Sequence, residues 1–245
     1  LSAQPIPDSV LLKQIALRMN NPALIDQGYT NLCGMAVCAM TIARYNPEAY
    51  KNIIINLVDS GYAHFNRYHL KLKRRIADTT HNFFTKAVIP EADWLLLASM
   101  RNKCNFFLPY GGRMSKLYEK ISGSNFPADV RRTLKLMGFE KNFDNMNGFW
   151  PIRKPAMYSL NILDSAFRKN KTPIILINTK MYGKGTFSLT SNHFAIYNGG
   201  LSIDEKNKKL VFSIWTFGYT KTISCSFEAF RQNYFGCIVV DDPNK

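Results

Sequence analysis

The stretch Gln27-Gly28-Tyr29-Thr30-Asn31-Leu32-Cys33-Gly34-Met35-Ala36-Val37 decides how the rest of this chain is read. Residues 33–43 are small or apolar and carry no charge, which predicts a buried helix. Asn46 and Pro47 break it, and a loop through Gly28 precedes it. Cys33 therefore falls at a helix N-terminus, where unsatisfied amides and the helix dipole draw a thiol toward the reactive thiolate. Gly34 leaves room for a substrate to approach the backbone. Gln27, six residues before the cysteine, can bring its side-chain amide beside the Cys33 N–H, and paired donors of that kind stabilise a developing oxyanion.

A nucleophilic thiolate also needs a base. The chain has four histidines: His64, His69, His81 and His193. The first three have no metal-site spacing and read as surface or core residues. His193 follows a polar loop containing Ser188, Thr190, Ser191 and Asn192, and opens the apolar run Phe194-Ala195-Ile196-Tyr197. At a strand edge it can face a helix N-terminus packed on the sheet.

Working outward, helical periodicity predicts helices over 9–19, with Ser9 as a cap, and over 47–58. In the middle of the chain it predicts helices over 67–78, 90–102 and 127–137, with loops at Gly111, Gly112, Gly123 and Gly138. From Thr172 the pattern changes to short apolar runs at 173–178, 193–197, 210–215, 220–225 and 237–240, with a short helix at 227–234. Their spacing and turn residues predict an antiparallel sheet. Helices first and strands later make the fold class α+β, one domain over 1–245 with a helical half packed on a sheet half.

The chain has 245 residues, 46% hydrophobic and 13% aromatic, enough apolar surface for a substantial core and against disorder. No apolar run reaches the roughly 20 residues that span a bilayer. Five cysteines without regular spacing argue against a disulfide framework and leave at least one free thiol. The net charge of +15 predicts an acidic partner or surface; nucleic acid fits the charge but no motif favours it. The one dense basic run, Lys71, Lys73, Arg74 and Arg75, reads as a solvated helix face. The chain opens on Leu1 without a visible signal peptide, and Pro5 and Pro7 read as a linker tail, so a segment of a longer protein is expected.

Gln27, five residues and then Cys33-Gly34 opening an apolar helix resembles the papain-like cysteine peptidases. So does the late His193-to-Tyr197 strand followed by a hairpin and Trp215-x-x-Gly218. The C-terminal part is similar to the bacteriocin-processing, double-glycine-leader branch, through the Pro173-Ile174-Ile175-Leu176 strand, Phe227 and Phe230, and the run Gly236 to Val240. The resemblance covers 24–44, as the Cys helix, and 159–241, as the His-bearing sheet half; 45–158 has no counterpart and is expected to be a helical insertion. It implies a papain-like fold with Cys33 as nucleophile, His193 as base and acid, and Gln27 as oxyanion donor. The family places an Asn or Asp third member two residues before a shielding Trp. With Trp215 as that shield, Ser213 stands in the third place; a Cys/His dyad or an orienter from another loop remains open. Gly34, Asn192 and Trp215 are expected to line or shield the cleft.

The expected function is a cysteine protease acting on a protein substrate, with no cofactor or metal, in a secreted or injected toxin or effector domain working in a target-cell cytoplasm. An acidic immunity or inhibitor protein would complement its charge. The alternatives are a deamidase, transglutaminase or peptidoglycan amidase on the same fold, and a catalytically inactive basic binding module.

Overall fold

The computed structural model describes residues 9–28, 30–74, 76–77, 89–105, 125–147, 156–181 and 192–241. The expected loops at Gly111, Gly112 and Gly123, His81, Arg75 and the loop residues Ser188, Thr190 and Ser191 lie outside them. The described chain is a mixed α+β fold in which several helices pack against a large antiparallel sheet.

The helical side begins with α1 (Ser9–Asn20) and a 3-10 turn (Pro22–Leu24). Next comes α2 (Cys33–Tyr45), buried along most of its length as its composition requires. Asn46 ends it and starts α3 (Pro47–Ser60): its side chain accepts the Ala49 N–H at 2.9 Å, and Pro47 takes the first helical position. Gly61, at φ +76°, closes α3 in the left-handed conformation.

The helix expected over 67–78 is corrected in its first half only, since Arg74, Ile76 and Ala77 are helical. Residues 62–71 form a hairpin, β1 (Tyr62–Phe65) and β2 (Tyr68–Lys71), turning at Asn66 with φ +52°. The physical reason is alternation: Tyr68 and Leu70 are buried while His69 and Lys71 are exposed, and a period of two outweighs helix propensity. The basic run accordingly starts in a strand. The expected middle helices occur as α4 (Glu91–Cys104) and α5 (Pro127–Leu136). Beyond α5, β3 (Glu140–Asp144) pairs with the last strand of the chain, so part of 45–158 belongs to the main sheet and that region is not purely helical.

A helix not expected from the sequence, α6 (Ala156–Arg168), precedes β4 (Thr172–Asn178), β5 (Asn192–Tyr197), β6 (Ser202–Asp204), β7 (Lys209–Thr216), β8 (Tyr219–Ser226), α7 (Phe227–Asn233) and β9 (Tyr234–Asp241). The sheet runs β3-β9-β4-β5-β7-β6, with β8 also paired to β7. Alternate residues serve two cores. Ile174, Leu176, Phe194, Ile196, Ile238 and Val240 pack with α1 to α5. Ile175, Ile177, Ala195 and Tyr197 pack with Leu160 and Leu163 of α6 and Phe230 of α7. Helices thus cover both faces of β4, whose seven residues are all buried, each large apolar one contributing roughly 1.5–3 kcal/mol. Among the described residues no helix is long and apolar enough to cross a membrane.

Candidate functional site

Cys33 is the first residue of α2 and is 8% exposed. Its thiol faces the backbone N–H groups of Phe194, Gly34 and Cys33 itself. The Phe194 amide comes from β5, one peptide unit beyond His193, so the thiol lies against the backbone of the histidine strand. Burial pushes the thiol above its ordinary pKa; the three amides and the Arg101 guanidinium pull the other way without overcoming it. The expected depression is therefore corrected. Donors at a helix terminus favour a thiolate, but here they act in a site closed to water.

The loop before Cys33 is held from below. Arg18 of α1 and Asp93 of α4 form a buried bidentate pair, both contacts at 2.7 Å, and the same carboxylate accepts the Asp26 N–H at 3.0 Å. Burial raises Asp93 to about 6, against the pull of Arg18. It remains ionised at neutral pH. Asp26 in turn accepts the Gly28 N–H at 2.9 Å. Gln27 is buried, and its side-chain N–H donates to the Thr30 carbonyl at 2.9 Å. One of its two amide hydrogens is thus spent inside its own loop.

Sequence reasoning missed Asn125. Its Oδ1 accepts the Gly34 N–H at 2.9 Å, so a residue from the segment before α5 caps the α2 N-terminus that no side chain of its own loop caps. Gly34 is required for this approach, since a Cβ there would lie 2.5 Å from Asn125 Cβ. The Asn125 amide nitrogen is buried without a hydrogen-bond partner. Only the space left by Gly34 hinted at such a contact.

His193 is buried in β5, and its Nε2 shares a 2.5 Å hydrogen bond with Thr216 Oγ1. Its ring stacks on Phe217, centroids 4.5 Å apart and planes 7° off parallel. Burial lowers its pKa to about 4. Phe217 and Gly218, at φ +48° and +75°, form the two-residue loop between β7 and β8, as expected for a type I′ turn. A bulky residue rarely accepts a left-handed φ, and here that backbone carries the ring over the imidazole.

Two expected roles are corrected. Ser213 does not reach His193: it lies mid-strand opposite Thr222, its hydroxyl 3.5 Å from that of Thr222, and the imidazole's partner is Thr216 at the strand end. Trp215 does not cover the imidazole. Its indole N–H donates to the Ala23 carbonyl at 2.8 Å, tying β7 to the turn before the cysteine loop, and Phe217 is the ring on His193. Asn192 opens β5 opposite Asn178, and its expected cleft-lining side chain lies outside the description. Of the other histidines, His64 and His69 face each other across the β1–β2 hairpin. All five cysteines are free. Among the described residues no three His, Cys, Asp or Glu cluster as metal ligands.

The arrangement is a buried neutral thiol ringed by amide donors, next to a strand carrying a buried neutral imidazole oriented by a hydroxyl. No family model matches the chain, and no curated protein matches it in sequence.

Proposed function

We propose that this chain is a cysteine hydrolase of papain-like arrangement that cleaves amide bonds in a protein substrate. The observation that supports the reading is that α2, which opens on Cys33, packs against β5, the strand that carries His193. In this reading the Nε2 of His193, bonded to Thr216 Oγ1 at 2.5 Å, carries the proton and donates it to that hydroxyl, so that Nδ1 is the basic nitrogen. As the substrate carbonyl arrives, the Cys33 proton passes to His193 and Sγ bonds to the carbonyl carbon. Amide N–H groups at the head of α2, with the second amide hydrogen of Gln27, hold the oxyanion. The intermediate collapses to a thioester as imidazolium protonates the leaving amine, and water then releases the acid and the thiol. The +15 charge fits an acidic inhibitor or immunity protein and a toxin or effector role.

The test expresses wild type, Cys33→Ala and His193→Ala inducibly in the bacterial cytoplasm and scores growth and new protein N-termini. Toxicity with discrete new termini, lost in both variants, is the expected result. Loss in both without new termini but with ammonia release moves the chemistry to deamidation. Toxicity that survives both substitutions overturns the catalytic reading and favours the basic binding module.

A further inference from the structure

The basic run that begins at Lys71 takes no part in the cysteine chemistry, and the β1–β2 hairpin gives it a setting that a helix would not. Residues alternate along both strands: Ala63, Tyr68 and Leu70 join the helical-side core, while Tyr62, His64, His69 and Lys71 form the outward face. Strand register sets Tyr62 opposite Lys71 and His64 opposite His69. Tyr62 is 57% exposed, and Lys71 Nζ lies 5.0 Å from its ring centroid. The two imidazoles are 6.0 Å apart, centroid to centroid, with planes 30° off parallel. Exposed Arg67 in the turn and exposed Lys73 after β2 flank this face, and among the described residues neither has a carboxylate partner. From Gly61 to Ala77 the sequence holds no Asp or Glu.

A two-stranded hairpin is marginal on its own, and this one is pinned at both ends. At the turn, Asn66 Nδ2 donates to the Met137 carbonyl at 2.6 Å and the Arg67 N–H donates to the Leu136 carbonyl at 3.0 Å. A Cβ on Gly138 would meet Asn66 Nδ2 at 2.6 Å, so glycine is what lets the turn seat there. At the base, the Leu72 N–H donates to the Gly61 carbonyl at 2.8 Å. The outward side chains make none of these anchors; three rings and a cation stand on a fixed platform. Exposed rings stack on unpaired bases of any sequence, and cations beside them meet the phosphates. A duplex fits less well, because its bases already stack on one another. An acidic protein would be met by charge, yet three of the four outward positions hold rings. We propose that the outward face of the β1–β2 hairpin binds single-stranded nucleic acid, with a base on Tyr62 and phosphates on Lys71, Arg67 and Lys73. The region that had no counterpart in the family resemblance would then carry a binding surface of its own, and this inference does not depend on the cysteine chemistry.

The test titrates the 245-residue chain into fluorescein-labelled oligouridylate of about 12 nucleotides near physiological salt, read by anisotropy. The same strand paired with oligoadenylate, and polyglutamate as an unlabelled competitor, are measured beside it. The single strand should bind saturably and more tightly than the duplex, and polyglutamate at equal charge should not displace it. Tyr62→Ala leaves the charge unchanged and should weaken single-strand binding about fivefold or more, the worth of one stacked base, with circular dichroism confirming that the variant folds. Lys71→Ser should weaken binding and flatten its salt dependence by about one phosphate contact. Lys206→Ser removes the same charge from the exposed turn between β6 and β7 and should leave binding near wild type, as should Cys33→Ala. The inference is overturned if the single strand does not saturate or binds no better than the duplex, or if Tyr62→Ala binds as wild type does. It is also overturned if Lys206→Ser costs as much as Lys71→Ser, or if polyglutamate displaces the strand, which would make the hairpin a surface for an acidic protein.

Discussion

Gly34→Ala tests the contact between α2 and the segment before α5, because opposing effects of known size meet there. The new methyl carbon would sit 2.5 Å from Asn125 Cβ and 2.9 Å from Cγ and Oδ1, closer than carbon atoms can approach, so Asn125 must retreat. Overpacking of this kind costs roughly 1–3 kcal/mol. Displacing Oδ1 from the Gly34 N–H forfeits a hydrogen bond worth about 1 kcal/mol. Alanine returns about 1 kcal/mol, since glycine is the poorer helix former. The net expectation is a loss of roughly 1–3 kcal/mol, which at about 2–4 °C per kcal/mol for a chain of this size lowers Tm by roughly 2–12 °C. Thermal unfolding followed by circular dichroism reads it directly. The same substitution in an Asn125→Gly background removes the obstacle, so alanine there should be neutral or stabilising, with a coupling of at least about 1 kcal/mol between the sites. If Gly34→Ala alone melts at or above the wild-type temperature, helix propensity has won and the contact is not what the site rests on.

Three further outcomes follow from the buried pair. The folded His193 pKa of about 4 lies below the ordinary 6.5, so between these values the unfolded chain takes up a proton that the folded chain refuses. Stability present above pH 6.5 is thus lost as pH falls toward 4, by about 3 kcal/mol; urea titrations should show a flatter acid limb for His193→Gln, and an unchanged limb would refute the assignment. Thr216→Val strands a buried imidazole nitrogen and should cost about 1–3 kcal/mol in the same urea assay, with Thr216→Ser restoring most of it. Because burial raises the Cys33 thiol, iodoacetamide should alkylate it at a rate still climbing above pH 8, and a plateau by pH 6 would show that a thiolate rests there instead.

What the sequence made legible follows from where its signals are local. The apolar run after Cys33, the Asn46-Pro47 break and the short apolar C-terminal runs each encode an element in their own residues; β4, β5, β7, β8 and β9 fall close to where those runs put them, and β6 was not among them. Where a second pattern competed, the reading failed: the first half of the helix expected over 67–78 buries Tyr68 and Leu70 on one face and pairs instead as the second strand of the 62–71 hairpin. The site was legible as residue types and not as partners. His193 stands where a strand opening suggests, yet its orienting hydroxyl depends on strand register, which places Thr216 at the end of β7 and Ser213 in mid-strand. Phe217 reaches the imidazole only through a left-handed turn. Arg18 with Asp93, and Gly34 with Asn125, join residues 75 and 91 positions apart, and no window along one chain reveals such pairs.

The Asn125 contact also bears on how the thiol is restrained. The Gly34 N–H is held by Asn125 Oδ1 at 2.9 Å and is also one of the amides that favour the Cys33 thiolate. A hydrogen bond to a thiolate is worth more than one to a neutral amide oxygen, about 1.5 kcal/mol or more. Freeing that donor should therefore shift the thiol toward ionisation and raise the thiolate fraction at neutral pH. Asn125→Gly removes the competing oxygen beside a cysteine that is 8% exposed. The expected result is alkylation of Cys33 by iodoacetamide at pH 7 that is about tenfold faster or more, with peptide mapping to separate Cys33 from the other four thiols. An unchanged or slower rate would mean that burial by β5, and not the amide oxygen over the head of α2, sets the reactivity of this cysteine.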